Sequence, residues 1–364
     1  MFALIVPLLV ASFDLGGHFA KADSWTESAV DFAAERQGDG FGFAGQKGDI
    51  VNCMGRGKCT WHGIDVWEAR IYYGAEGANR VEMSLYNRGD DTSPNGLDAA
   101  GLEKLLEEVA SKAQPGGKIG PNPEKKKLGN GGFRYFRKWN KGECNVELTW
   151  GVGGANSKEL AADYVRVSIY PKGAPRPKAA GRAGIVSKTK TRSHVKKNED
   201  GDVWIDGVPM VDQGRKGYCA AAASERVLRY YGFAIDEHEI AQVAGTTAQG
   251  GTSISNMVQA VRAVGSKCRL GYSSVRADGK KFLKEVKAQV DQGVPLFWGV
   301  TLGMFPEPGL PQATGGHIRL IIGYNQKTHE ILYTDSWGVG HELKRMPEDR
   351  AFAITREVFF LRPL

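Results

Sequence analysis

The stretch DQGRKGYCAAAASERVLRYYG, residues 212–232, sets a cysteine at the head of an alanine-rich segment, just behind a glutamine and a turn broken by glycines. Ala220, Ala223, Val227, Leu228 and Tyr231 recur at helical spacing and make one apolar face, and Gly232 supplies a C-terminal stop. Cys219 therefore opens a helix, where free N–H groups and the helix dipole lower a thiol's pKa. Taken alone it suits a core position equally well, because free cysteine is among the most buried residue types. What decides between the two is the rest of the chain.

Upstream of that helix, VWIDGVPMVDQG (203–214) reads as a strand and turn. Downstream, IDEHEIAQVAG (235–245) offers Asp236 as the N-cap of a short helix, so its acidic cluster needs no metal. GGTSISNMVQAVRAVG (250–265) starts a second helix with Thr252 or Ser253 as cap and ends it at Gly265. GKKFLKEVKAQVDQG (279–293) makes a third ahead of the strand VPLFWGVTL (294–302), and HIRLIIGYN (317–325) and EILYTDSWG (330–338) close the chain as two strands. Helices first and an antiparallel sheet afterwards is an α+β order.

Cysteine catalysis needs a thiolate, a base to generate it and a group to orient the base. His317 begins an apolar strand after ATGG, and Asp335 in YTDSWG stands on the adjoining strand, so the order along the chain is Gln213, Cys219, His317, Asp335. The residues VPMVDQGRKGYC, the helix ending LRYYG, the GGTS helix start, GGHIRLIIGYN and DSWG together cover 204–338. In them the chain resembles the papain-like cysteine peptidases, most closely the bacterial C39-like group related to bacteriocin-leader peptidases.

That resemblance implies a papain-like domain with the nucleophile helix packed on an antiparallel sheet. It assigns Cys219 as nucleophile, His317 as base and then acid, and Asp335 as its orienting group where papain has asparagine. The Gln213 side chain and the Cys219 N–H would stabilise the oxyanion, and Trp337 would shield the His317 and Asp335 pair. Two departures stand out. Ala220 and Ala221 replace the family's Gly-Pro, and Arg319 stands where relatives more often carry an apolar residue. By strand alternation Arg319 faces the same side as His317, so it either pairs with an acid or lines the substrate cleft.

At 364 residues the chain is long enough for two compact units. Before the peptidase-like part, TWHGIDVWEARIYYG, RVEMSLYNRGD, FRYFRKW, CNVELTW and DYVRVSIY alternate like strands, and GLDAAGLEKLLEEVASKA has helical spacing. They predict a small α+β domain over 23–171, in which His62 near Cys59 offers too few ligands for a metal site. Residues 172–197 contain many Lys and Arg and no acid, which predicts a basic flexible linker over 172–200 ahead of the peptidase domain at 201–364. Attraction to an anionic cell-surface polymer is an alternative use of that run. It lacks the interleaved aromatics of a nucleic-acid binder.

MFALIVPLLVASF is too short to span a bilayer and leads to Ala20, Lys21 and Ala22, a small-x-small pattern that predicts a signal peptide over 1–22 and export to the periplasm or the medium. In an oxidising compartment structural cysteines tend to pair. Of Cys53, Cys59, Cys144, Cys219 and Cys268 one must be left over, and Cys53 and Cys59 flank a short turn that a disulfide could close. The expectation is a secreted cysteine peptidase acting on peptide or protein, without metal or organic cofactor and without a transmembrane segment. The competing readings are a cell-wall peptide amidase or transferase with the same triad, and a papain-like binding module of weak activity.

Overall fold

The computed structural model describes residues 12–93, 96–127, 132–153, 162–174, 187–214, 217–233, 235, 237–248, 250–275, 281–307 and 314–364. Asp236 and residues 175–186 of the basic run, which figure in the sequence reading, lie outside them. The described part is built on two sheets, each with its own hydrophobic core.

The first sheet contains β1 (Phe13–Asp14), β2 (Phe41–Phe43), β3 (Ile50–Trp61), β4 (Ile64–Gly74), β5 (Gly77–Asn87), β6 (Glu124–Lys127), β7 (Phe133–Lys141), β8 (Cys144–Val152) and β9 (Ala162–Pro171). Their order is β1-β3-β4-β5-β9-β8-β7-β6, with β2 also on β3, and every pairing but β1 with β3 is antiparallel. Short helices α1 (Leu15–His18) and α2 (Ala29–Glu35) precede it, and α3 (Ala99–Ala113) buries Leu102, Leu106, Val109 and Ala113. Asp98 caps α3 by accepting from the Gly101 N–H at 2.8 Å.

Phe13 and Asp14 pair with Cys59 and Thr60, and Leu15 and Phe19 are fully buried. Residues 13–19 thus pack against this core, and cleavage after Ala22 would remove the buried Leu15 and Phe19 side chains from it. The expected pairing of cysteines is not shown, and all five stand as free thiols in this structure. Cys53 and Cys59 are nonetheless hydrogen-bonded neighbours. His62 has a structural role: its N–H donates to Asp14 Oδ1 at 2.7 Å and its ring packs on Gly16.

The second sheet contains β10 (Val195–Lys197), β11 (Asp202–Ile205), β12 (Leu270–Val275), β13 (Leu296–Leu302), β14 (Gly315–Asn325), β15 (Glu330–Thr334), β16 (Lys344–Pro347) and β17 (Thr355–Pro363). The order is β10-β11-β14-β13-β17-β12, with β15 bridging β14 and β16. Around it lie α4 (Lys188–Ser193), α5 (Cys219–Tyr230), α6 (Glu237–Ala244), α7 (Ile254–Lys267), α8 (Phe282–Val290) and α9 (Glu348–Ile354). This is an α+β architecture with antiparallel sheets.

Two sequence expectations change here. The flexible linker does not extend to residue 200, because α4 and β10 are built into the second domain and Thr191 Oγ1 donates to the Gln292 carbonyl at 2.8 Å. The chain also does not close at β15: β17 runs between β13 and β12, inside the sheet. Among the described residues no helix is long and apolar enough to cross a membrane.

Helix α5 deserves a physical account because it carries Cys219. Every residue from Ala220 to Leu228 is buried, including Ser224, Glu225 and Arg226. Gly232 follows it at φ +84°, the left-handed conformation that ends a helix without a Cβ penalty. An amphipathic helix with one wet face is thus the wrong picture: the polar face is covered as well, in part by the N-terminal domain.

Candidate active site

The thiol of Cys219 stands at the first residue of α5, half-buried, whereas the other four cysteines are buried. It is hydrogen-bonded to His317 and takes backbone N–H groups from Ile318 and Ala220. Burial alone would push the thiol up, but the His317 contact and these N–H donors outweigh it and bring its pKa below the ordinary thiol value.

His317 is near the start of β14, opposite Val300 of β13. Its Nε2 lies 2.6 Å from Asp335 Oδ1, which leaves Nδ1 for the thiol. Burial works against the imidazolium, yet Asp335 and Cys219 prevail and push the pKa up to about 9. Asp335 follows directly on β15, fully buried, with the Ser336 N–H on Oδ1 at 3.0 Å. Its carboxyl is held down at about 2 because His317, Arg319 and Lys344 overcome the effect of burial. The two strands meet in register, Leu320 of β14 against Thr334 of β15, and this pairing brings His317 and Asp335 together. With a lowered thiol and a raised imidazole, the arrangement favours a thiolate–imidazolium pair.

Trp337 stacks on the His317 ring with centroids 4.6 Å apart and planes 21° from parallel, so it covers that imidazole. His341 meets the same indole edge-on at 5.6 Å, and Lys344 Nζ stands over it at 5.5 Å. Gln213 is buried, and its N–H donates to the Ser336 carbonyl at 2.9 Å, which ties the segment before the nucleophile to the strand end that carries Asp335.

Of the two uses considered for Arg319, the structure selects pairing and not the cleft. The side chain is 1% exposed, with Nε 2.9 Å from Asp335 Oδ2 and Nη2 3.0 Å from Glu307 Oε2. Arg319 therefore holds the Asp335 carboxylate from the side away from His317.

Arg226 is one residue that sequence reasoning missed. From two turns along α5, Nε donates to the Pro209 carbonyl at 2.7 Å, Nη1 to the Asp335 carbonyl at 2.8 Å and Nη2 to Thr334 Oγ1 at 2.5 Å. One guanidinium thus fastens the helix that begins at Cys219 to the segment before Gln213 and to the end of β15. The only signal in the sequence is a charged residue inside an alanine-rich helix.

Beyond this cluster, Glu68, Glu237 and His238 present potential ligand atoms within 4.8 Å of one another. The Arg70 guanidinium stands among them, 2.5 Å from Glu68 and 2.8 Å from Glu237, and already supplies the positive charge that a cation would bring.

Residues 205–356 match the model of the Peptidase_C39 like family. The match lies within the C-terminal domain, which is similar to that family over most of its length. Among solved structures the chain is similar to the crystal structure of xylellain, a cysteine protease from Xylella fastidiosa, with 15% identity and a TM-score of 0.34 over 51% of this chain and 92% of that one. No curated protein matches the chain.

Proposed function

We propose that the chain is a cysteine peptidase that hydrolyses peptide bonds through an acyl-enzyme on Cys219. The observation that carries the reading is the continuous contact from the Cys219 thiol to His317 and, at 2.6 Å, from His317 to the buried Asp335. The thiolate adds to the scissile carbonyl, and the oxyanion is taken by the Gln213 amide and the Cys219 N–H. His317 then gives its proton to the leaving amine, the C–N bond breaks, and the acyl group stays on sulfur. A water molecule loses a proton to His317, attacks the thioester and restores the thiolate as the acid product leaves. Asp335 keeps the imidazole in one orientation and stabilises its charged form, a role supported by its low pKa of about 2. Trp337 excludes water from the His317 and Asp335 bond and flanks the cleft.

The test is incubation with a thiol-reactive peptide electrophile. Cys219 is labelled rapidly, Cys219→Ala abolishes the labelling, and casein is cut by the wild type alone. Labelling no faster than that of an unfolded control sinks the mechanism. Purified peptidoglycan in the same assay separates a protein substrate from cell-wall peptide. Export is part of the proposal and rests on the apolar start of the chain, whose residues 1–11 lie outside the described ones. Finding the protein only in the cytoplasmic fraction of its host would overturn that part.

A further inference from the structure

One side chain of the N-terminal domain, Arg70, meets three peptidase-domain groups beside the catalytic machinery. Arg70 lies on β4, 6% exposed, paired across the sheet with Asn52 of β3 and Glu82 of β5. Its Nη2 donates to the Asp212 carbonyl at 3.2 Å and to Glu237 Oε1 at 2.8 Å, and its Nη1 lies 3.5 Å from Glu225 Oε2. These acceptors all belong to the peptidase domain. Asp212 immediately precedes Gln213, Glu225 is on the nucleophile helix, and Glu237 begins α6 with its N–H donated to Glu225 at 2.8 Å.

Two neighbours reinforce the same joint. Asn52 Nδ2 donates to Asp212 Oδ2 at 3.3 Å, and the hydroxyl of Tyr218, the residue before Cys219, bonds to Asn87 Oδ1 on β5. The N-terminal domain thus grips the chain just before Gln213 and again just before Cys219. A guanidinium suits the central position because its planar fork presents five donors in fixed directions, which an ammonium group cannot match.

We propose that Arg70 is a positioning residue of the peptidase: it locks the Asp212 carbonyl to the nucleophile helix so that Gln213 stands beside Cys219. The N-terminal domain is then a standing part of the active enzyme. This rests on the reading of Cys219 as nucleophile and Gln213 as oxyanion donor.

Two probes of the full-length protein separate that role from a general structural one. Acylation of Cys219 by p-nitrophenyl acetate passes through an oxyanion, whereas alkylation by iodoacetamide does not. Loss of one oxyanion donor costs about 10²–10³ in rate, so Gln213→Ala sets the scale for acylation. Arg70→Lys, and the charge-balanced pair Arg70→Gln with Glu237→Gln, lose about 10-fold or more in acylation and keep the wild-type alkylation rate. Adding either change to Gln213→Ala produces no loss beyond that of Gln213→Ala alone, because both act through one group. The charge-balanced pair guards against misfolding from unpaired carboxylates, and its single cooperative unfolding transition verifies the fold.

Wild-type acylation in the Arg70 variants overturns the proposal. So does an equal fall in acylation and alkylation, or full additivity with Gln213→Ala. If the wild type does not acylate at Cys219, or Gln213→Ala changes nothing, the proposed mechanism itself has failed, and that outcome is distinct from failure at Arg70 alone.

Discussion

Arg319 Nε donates to Asp335 Oδ2 at 2.9 Å, on the carboxylate oxygen that His317 does not use. Both side chains are buried, so neither charge is screened by water and each depends on the other. Replacing Arg319 with Gln leaves Asp335 and Glu307 short of a cation, and breaking a buried pair in this way costs about 3–5 kcal/mol. Denaturant unfolding of Arg319→Gln should show a loss of that order. Substrate preference should stay as in the wild type, because the arginine does not face the cleft; a changed cleavage pattern on casein would contradict this.

The pKa of His317 is raised to about 9 against the opposing effect of burial, and Asp335 is the strongest raising influence. Asp335→Asn retains a hydrogen-bonding side chain and removes the charge. The imidazole pKa should then fall toward its ordinary 6.5 or lower, and NMR titration of the ring measures the shift. A pKa that stays near 9 in this variant would rule out the carboxylate as the cause.

The same groups set how stability depends on pH. For His317 the folded pKa is the higher one, so its contribution is complete below 6.5 and is lost as pH rises toward about 9. For Asp335 the folded pKa is the lower one, so its contribution is complete above 3.8 and is lost as pH falls toward about 2. Chemical denaturation across pH 6.5 to 9 should reveal a decline in stability of roughly 3 kcal/mol at most. Asp335→Asn should flatten it.

Arg226 connects three elements through neutral acceptors, the carbonyls of Pro209 and Asp335 and the hydroxyls of Thr334 and Ser336. Arg226→Met fills a similar volume but leaves these groups buried without a donor, at about 1–3 kcal/mol for each one not rescued by water. The variant should melt well below the wild type. Its Cys219 should acylate more slowly, because both the helix and the Asp335 strand end have lost their common anchor.

That Cys219, His317 and Asp335 would meet was legible because each stands at the end of an element with its own local mark. The marks are a cysteine heading an alanine run, a histidine after two glycines at a strand start, and an aspartate after an apolar strand. Ser253 likewise caps α7 as its position predicts, accepting from the Asn256 N–H at 3.1 Å. Arg226, Glu225 and Arg70 were not legible. An apolar-face reading of α5 leaves Glu225 and Arg226 facing solvent, and only packing from outside the helix buries them. Arg70 alternates along β4 like any strand residue, and its partners in the second domain are more than 140 residues away in sequence. Strand β17 follows directly on α9, and no hairpin signal in the sequence links it to β13.

The sequence between the two domains contains Lys178–Ala179 and Arg182–Ala183, two bonds that trypsin accepts, whereas Arg176 is followed by proline. On the C-terminal side the basic residues enter α4 and β10, which are packed into the second sheet, so early cleavage should fall after Lys178 or Arg182 and not beyond Ser187. The cut does not touch the interface. Arg70 remains bonded to Asp212 and Glu237, Asn52 to Asp212 and Gln46 to Glu342 across it, with the Arg70 cluster buried. Separating the pieces would leave Glu225 and Glu237 without the Arg70 guanidinium, a cost comparable to breaking a buried ion pair, about 3–5 kcal/mol. The nicked protein should therefore elute from gel filtration as one species of unchanged size and fall into two fragments only in denaturant. Its Cys219 should keep the acylation rate of the intact chain. Fragments that part without denaturant would mean that the covalent tether, and not the buried interface, keeps the domains together.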